Sequence, residues 1–297
     1  NSDSNFPSVG IFWQDGLANS IMFGFLHQGT IMRYLSARSF KDCKKAVVTH
    51  LVVLMPLAAC VVGGAGWLAK ALANHGDLPL NMEANDSFYA ATQLISQPGI
   101  FGLILAAMIA ALMSTVDTLI TAISAVWVND VHKQYVKKDM TDRQALSVAR
   151  FTAVAATLVG IIMVPVFMNF DSIYDAHGAF TAAVTPPLVV TFVFSLFWKR
   201  FTSKAALATM IVGLVAVAAS FFIPELITPF AHGVPMGDAG DGLFAGVKQY
   251  KFMRACYGLS VCTLVGVIVT FLTKPETDKD LRGLIWQKGY YRSLNID

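Results

Sequence analysis

AALMSTVDTLITAISAVWVND, residues 110–130, begins as an apolar helix and then places Ser114, Thr115, Asp117, Thr118, Thr121 and Ser124 within eleven residues. At 100° per residue, Ser114, Asp117, Thr118, Thr121 and Ser124 fall in one sector, with Thr115 on its shoulder. The rest of that helix surface is Leu, Ile, Ala, Val and Met. A charged side chain near the centre of a bilayer costs ~2.5 kcal/mol or several times that. Asp117 is therefore expected to face a cavity, an ion or a partner. Serine and threonine alone would say little, because their hydroxyls often bond back to the helix carbonyl four residues earlier. A carboxylate in register with them says more.

The composition fits a membrane setting. Of 297 residues, 55% are hydrophobic and only 14% charged, and the mean hydropathy is +0.58. A soluble domain carries roughly 25% charged residues to cover its surface. Stretches of about 20 apolar residues give seven candidate spans, near 10–32, 46–72, 98–128, 146–168, 174–198, 205–227 and 252–273. Alternate connections hold 18 of the 22 Lys and Arg, among them Arg33, Lys44, Lys133, Arg143, Lys199 and Lys274. The others hold only Lys70, Lys248, Lys251 and Arg254. The positive-inside bias places the N-terminus of the chain outside and its C-terminus in the cytoplasm, a parity that an odd number of spans satisfies. The setting is a multi-pass protein of a plasma or bacterial inner membrane, with the lipid bilayer as partner and no nucleic acid.

Two spans read as interrupted. The first mixes Gly16, Gly24 and Gly29 with Asn19, Ser20, His27 and Gln28, and the fifth carries Asp175, His177, Gly178 and the pair Pro186–Pro187. Broken backbone at membrane depth is tolerated only where protein or water satisfies it, and it points to a transport site. The polar connection 73–97 reads as an outer loop with a short surface helix near Asn85–Ile95, and 228–250 as an irregular outer loop. Cys43, Cys60, Cys256 and Cys262 lack metal-ligand spacing and read as small buried hydrophobes. Trp127, Trp198 and Trp286 fit an interfacial belt. No nucleophile–base pair or phosphate loop stands out, so no enzyme is expected.

A hard monovalent cation wants several oxygen ligands, by the logic that governs other hard cations. Hydroxyls at adjacent positions, with a carbonyl left free one turn back, make half of such a shell. Asp117 with Thr118 could form a second cluster one turn on. Against this stands a plainer reading, in which the stripe only binds neighbouring helices through hydrogen bonds.

At this stretch the sequence resembles the sodium/solute symporter family, in AALMSTVDTLITAISAVWVNDVHKQY, with its small residues, Ser-Thr pair and acidic helix exit. HQGTIMRYLSARSFKDCKKA is similar to the exit of the family's sixth core helix, and SLFWKRFTSKAA to its turn after the tenth. The resemblance covers nearly the whole chain and implies an all-α membrane protein of the leucine-transporter type. Residues 10–198 would be the second inverted five-helix repeat and 205–273 two later helices. Residues 1–9 would form an outside segment and 274–297 a cytoplasmic tail, all within one transmembrane domain 1–297. The first repeat would be missing from this chain.

The resemblance further implies sodium ligands at Ala111, Ser114 and Thr115, spaced i, i+3, i+4, with Na⁺ as the coupling ion. A second cation site would fall at Asp117 and Thr118, where a carboxylate departs from the family's hydroxyl and could turn the site toward protons. Solute contacts would come from Ser20, Phe23 and Gln28 and from His177, Gly178 and Thr181. The expected function is Na⁺-coupled symport of a small polar organic solute, of the sugar, amino acid, carboxylate or vitamin class. Two alternatives stand beside it, a transporter-like sensor domain of a signalling protein and a proton-coupled symporter using Asp117.

Overall fold

The structure, a computed structural model, describes residues 7–22, 26–83, 85–168, 170, 172–237 and 245–275. Its described residues are helical, without strands. They divide between two compact units, Asn1–His27 with Ile173–Asp297, and Gln28–Ser172.

Among its described residues, the unit Gln28–Ser172 holds five helices: α2 (Gln28–Leu35), α3 (Phe40–His75), α4 (Ser87–Ile95), α5 (Pro98–Val136) and α6 (Asp142–Phe167). Local chemistry sets their ends. Ser39 caps α3, its hydroxyl accepting from the Asp42 amide at 3.1 Å. Gly76 closes α3 at φ 97°, a left-handed conformation that only glycine adopts without cost. Pro98 opens α5 in the first turn, where its missing N–H is not needed. A reciprocal box of Thr141 and Gln144 starts α6. The last turns of α5, Trp127–Val136, are wound more widely as a π-helix. The surface helix expected near Asn85–Ile95 is α4.

The other unit contains α1, in which Ser8–Ile11 passes directly into a π-wound stretch Phe12–Met22. It also contains α7 (Ile173–Phe197), α8 (Ser203–Phe222), a 3₁₀ turn Pro224–Phe230, the short α9 (Ala245–Lys248) and α10 (Arg254–Leu272). Small residues bring α7, α8 and α10 close together. A Cβ on Gly213 of α8 would stand 2.5 Å from Cys262 Sγ of α10, and one on Gly258 of α10 would stand 2.9 Å from Pro186 of α7. Close approach through small residues is how membrane helices gain packing when lipid is as apolar as leucine. Cys256 and Cys262 are buried as expected, whereas Cys43 is half-buried and Cys60 exposed, and all four thiols are free.

Among the described residues, six helices are long and apolar enough to cross a membrane: Phe40–His75, Pro98–Val136, Asp142–Phe167, Ile173–Phe197, Ser203–Phe222 and Arg254–Leu272. They coincide with six of the seven expected spans. The first expected span, 10–32, is divided between α1 and α2, with a turn at Leu26, so the expected interruption is present there. For the fifth span the expectation fails. α7 runs unbroken through Gly178 and Pro186–Pro187. The reason is tertiary: each proline removes one intrahelical N–H, but both rings are buried, Pro186 against Gly258 and Pro187 against Gly213.

Candidate functional site

The expected sodium ligands share one face of α5, inside Gln28–Ser172. Thr115 Oγ1 donates to the Ala111 carbonyl at 3.1 Å, and Thr118 Oγ1 donates to the Ser114 carbonyl at 2.9 Å. These are back-bonds of the kind threonine makes in helices, and they set the oxygens at useful separations. With cation–oxygen distances of about 2.4 Å, two ligands 3.1 Å apart subtend roughly 80° at an ion, near the right angle of an octahedral shell. Ala111, Ser114, Thr115 and Asp117 are exposed on this face. Thr118 is half-buried and accepts from Arg33 Nη2 of α2 at 3.0 Å. The second expected cluster therefore already holds a guanidinium one residue from Asp117. Ser124, further along the stripe, is buried.

The expected solute contacts fall in two places. Gln28 is half-buried at the start of α2, in Gln28–Ser172. Ser20, His177, Gly178 and Thr181 belong to the other unit, and Phe23 lies outside the described residues. Ser20 is exposed on α1.

His177, Gly178 and Thr181 lie on one face of α7, and each meets a different group. His177 Nε2 lies 3.3 Å from Asn19 Nδ2 of α1. Thr181 Oγ1 donates to the His177 carbonyl at 2.7 Å and accepts from Gln14 Nε2 at 2.5 Å. Since the one hydroxyl proton of Thr181 is committed to that carbonyl, its oxygen must be the acceptor for Gln14. That fixes the orientation of the Gln14 amide. Gln14 is 1% exposed, and its Oε1 has no hydrogen-bond partner among the described residues. Tyr174 bonds to Asp15 across the same pair of helices.

Gly178 faces Phe252, from the segment that leads into α10. A Cβ at Gly178 would stand 2.6 Å from the Phe252 ring, and the ring of Tyr174 lies 5.8 Å from it. The neighbouring Lys251 reaches α7 too, its Nζ 2.7 Å from Asp175 Oδ1, with side chains only 9% and 7% exposed. Next in sequence but one from Phe252, Arg254 is fully buried. It donates from Nε to Ser220 Oγ at 3.0 Å and from Nη2 to the Gly246 and Gln249 carbonyls at 2.6 and 3.1 Å. Its guanidinium stands 4.5 Å from the Phe221 ring. Arg254 thereby ties the segment before α10 to the end of α8.

Reading the sequence did not single out Gln14, Asp15, Tyr174, Lys251 or Phe252. One signal was on the page: Asp175 sits in an apolar span, and such a carboxylate needs a partner. Nothing local indicated that the partner is Lys251.

A sequence model described as Sodium:solute symporter family matches residues 11–213. Among similar proteins, a sodium/glucose cotransporter of Vibrio parahaemolyticus is 27% identical over 98% of this chain and 52% of its own length. A human sodium/myo-inositol cotransporter is 27% identical over 91% of this chain and 39% of its own. The sodium/sialic acid symporter NanT of Aliivibrio fischeri is 27% identical over 73% of this chain and 45% of its own. The chain thus spans about half the length, or less, of these relatives. All three are named as transporters rather than enzymes.

Proposed function

As this chain belongs to the sodium:solute symporter family, we propose that it forms part of an integral, multi-pass secondary transporter that couples Na⁺ entry to uptake of a small polar solute. Its N-terminus is outside and its C-terminus cytoplasmic. Residues 10–198 serve as the second inverted repeat and 205–273 as two later helices. The ion is held through Ala111, Ser114 and Thr115, and the observation that carries this is the 3.1 Å spacing of Thr115 Oγ1 and the Ala111 carbonyl oxygen on an exposed face of α5. That spacing suits two ligands of one hard cation, and Ser114 lies on the same face. Asp117 and Thr118 form a second cation cluster one turn on, next to Arg33.

Coupling follows from differential affinity. Sodium shifts the conformational balance only so far as it binds one arrangement better than another. Held at the α5 oxygens, it favours the arrangement in which the solute site is formed. Release to the low-sodium side then dismantles that site. Because three relatives are named for glucose, myo-inositol and sialic acid, a polyhydroxylated solute is the first class to test.

The test is uptake by the full-length protein in proteoliposomes as a function of sodium. Ser114→Ala and Thr115→Ala should each raise the sodium concentration for half-maximal uptake. An unchanged sodium dependence in both removes the site. Asp117 favours a second reading, proton coupling, and replacing Na⁺ by choline at constant pH separates the two. Loss of uptake supports sodium, and persistence supports protons.

A further inference from the structure

Where α5 ends and α6 begins, the unit Gln28–Ser172 encloses a cavity of about 580 Å³. His132 lines it from the wide last turns of α5, Lys137 from the residue that ends them, and Arg143 and Gln144 from the first turn of α6. The winding sets the first two side by side, since the Lys137 N–H closes on the His132 carbonyl at 2.9 Å, five residues back rather than four. Solvated charge is the plain explanation of basic residues at a helix end. Here the cations share a concave wall, and among the described residues no carboxylate pairs with them. Lys137 Nζ donates to the neutral Gln144 Oε1 at 3.1 Å, and the Arg143 guanidinium makes no ion pair. Asp139 and Asp142 belong to the same connection but do not line the cavity. Gln144 Oε1 also accepts from the Thr141 amide at 3.4 Å, so Nε2 is the end left to donate. Positive charge with N–H donors is the complement of a phosphate.

The place of the cavity says which phosphate. α6 has 26 residues, about 39 Å at 1.5 Å each, against ~40–45 Å for a bilayer with its headgroup layers. Its first turn therefore falls at headgroup depth, on the side where the chain gathers most of its Lys and Arg. Met140 and Val148 complete the wall with apolar surface, which suits the glycerol end of a lipid and not a free anion. We propose that this cavity binds the phosphate headgroup of an anionic membrane lipid, with Lys137 and Arg143 as its charged contacts and Gln144 Nε2 as a neutral donor. Bound there, the lipid bridges the end of α5 and the start of α6. The site depends on the chain spanning a membrane and not on which ion or solute is carried.

The experiment is native mass spectrometry of the full-length protein in detergent, titrated with phosphatidylglycerol or phosphatidylcholine, which reads both the affinity and the number of lipids held. One phosphatidylglycerol should be held more tightly than phosphatidylcholine by about fivefold or more, the scale of one basic side chain at an anionic surface. Lys137→Gln and Arg143→Gln, both at exposed positions, should each weaken that binding by about fivefold. The pair Lys199→Gln with Arg200→Gln, in the basic turn between α7 and α8, should leave it unchanged. An equal loss from that pair shows diffuse attraction to basic surface and overturns the site, as does a wild-type protein that holds the two lipids equally. Inorganic phosphate at equal concentration should leave the lipid in place. Displacement by it assigns the cavity to a free anion and overturns the lipid.

Discussion

Asp117 and Asp175 both stand within apolar spans, and their surroundings differ. Asp117 lies exposed on α5, in the unit Gln28–Ser172, amid hydroxyls that bond back to their own helix. Asp175 lies buried in the first turn of α7, in the other unit, paired with Lys251. In sequence the two look alike, an acid in a hydrophobic run. Asp175 has the opposite charge of Lys251 beside it inside protein. Asp117 sits on the face proposed to hold a cation, next to Thr118, which accepts from Arg33. A carboxylate in a membrane span therefore carries two meanings, and only its neighbours in space separate them.

Lys251→Met leaves the Asp175 charge buried without its counter-ion, and losing one partner of such a pair costs about 3–5 kcal/mol. Chemical denaturation or the thermal midpoint of the purified protein reads that loss. The double variant Lys251→Met with Asp175→Asn should recover most of it, and if Lys251→Met alone changes nothing, the pair is no more than a surface contact.

A smaller effect is expected from helix packing elsewhere in the unit that holds Asp175. Gly213→Leu forces a side chain against Cys262 and Pro187, and overpacking of this kind costs about 1–3 kcal/mol. The same substitution at Gly160 of α6, where a Cβ would meet nothing within 4 Å, should leave the midpoint in place. Equal effects at the two glycines would show that the packing difference between the units is not real.

On the α5 face the expected changes are in sodium dependence. Thr115→Ala should raise the half-saturating sodium by about tenfold, equivalent to roughly 1.4 kcal/mol, with the thermal midpoint in sodium-free buffer barely moved. The smallest effect sharpens the contrast most. Asp117→Asn should alter stability by no more than about 0.5 kcal/mol, as for an exposed site without a structural partner, whereas Asp175→Asn should cost several times that. A large stability loss for Asp117→Asn would place that carboxylate in a structural pair like the other.

Much of the fold was legible because membrane helices announce themselves locally. Six of the seven expected spans match helices long and apolar enough to cross a bilayer, and the surface helix α4 and the break between α1 and α2 fell where the polar and glycine residues indicated. The stripe on α5 was legible for the same reason: residues at i, i+3 and i+4 share a face on any helix. Two features were not. Pro186–Pro187 read as a break, but a helix survives lost N–H bonds when its proline rings are packed, and the glycines that accept them, Gly213 and Gly258, lie on other helices. The surroundings of His177, Gly178 and Thr181 were equally hidden, because Gln14, Asn19 and Phe252 come from far along the chain.

By itself the sequence determined which segments are apolar enough for lipid, where helices start and stop, and which oxygens of α5 line up. Those are properties of a single helix and its solvent, decided by hydropathy, capping and a 3.6-residue repeat. The tertiary structure alone decided that Asp175 meets Lys251, that Phe252 fills the notch at Gly178, and that two prolines leave α7 whole. Each of these is a contact between distant segments, settled by shape and charge when helices pack, and no local pattern encodes it.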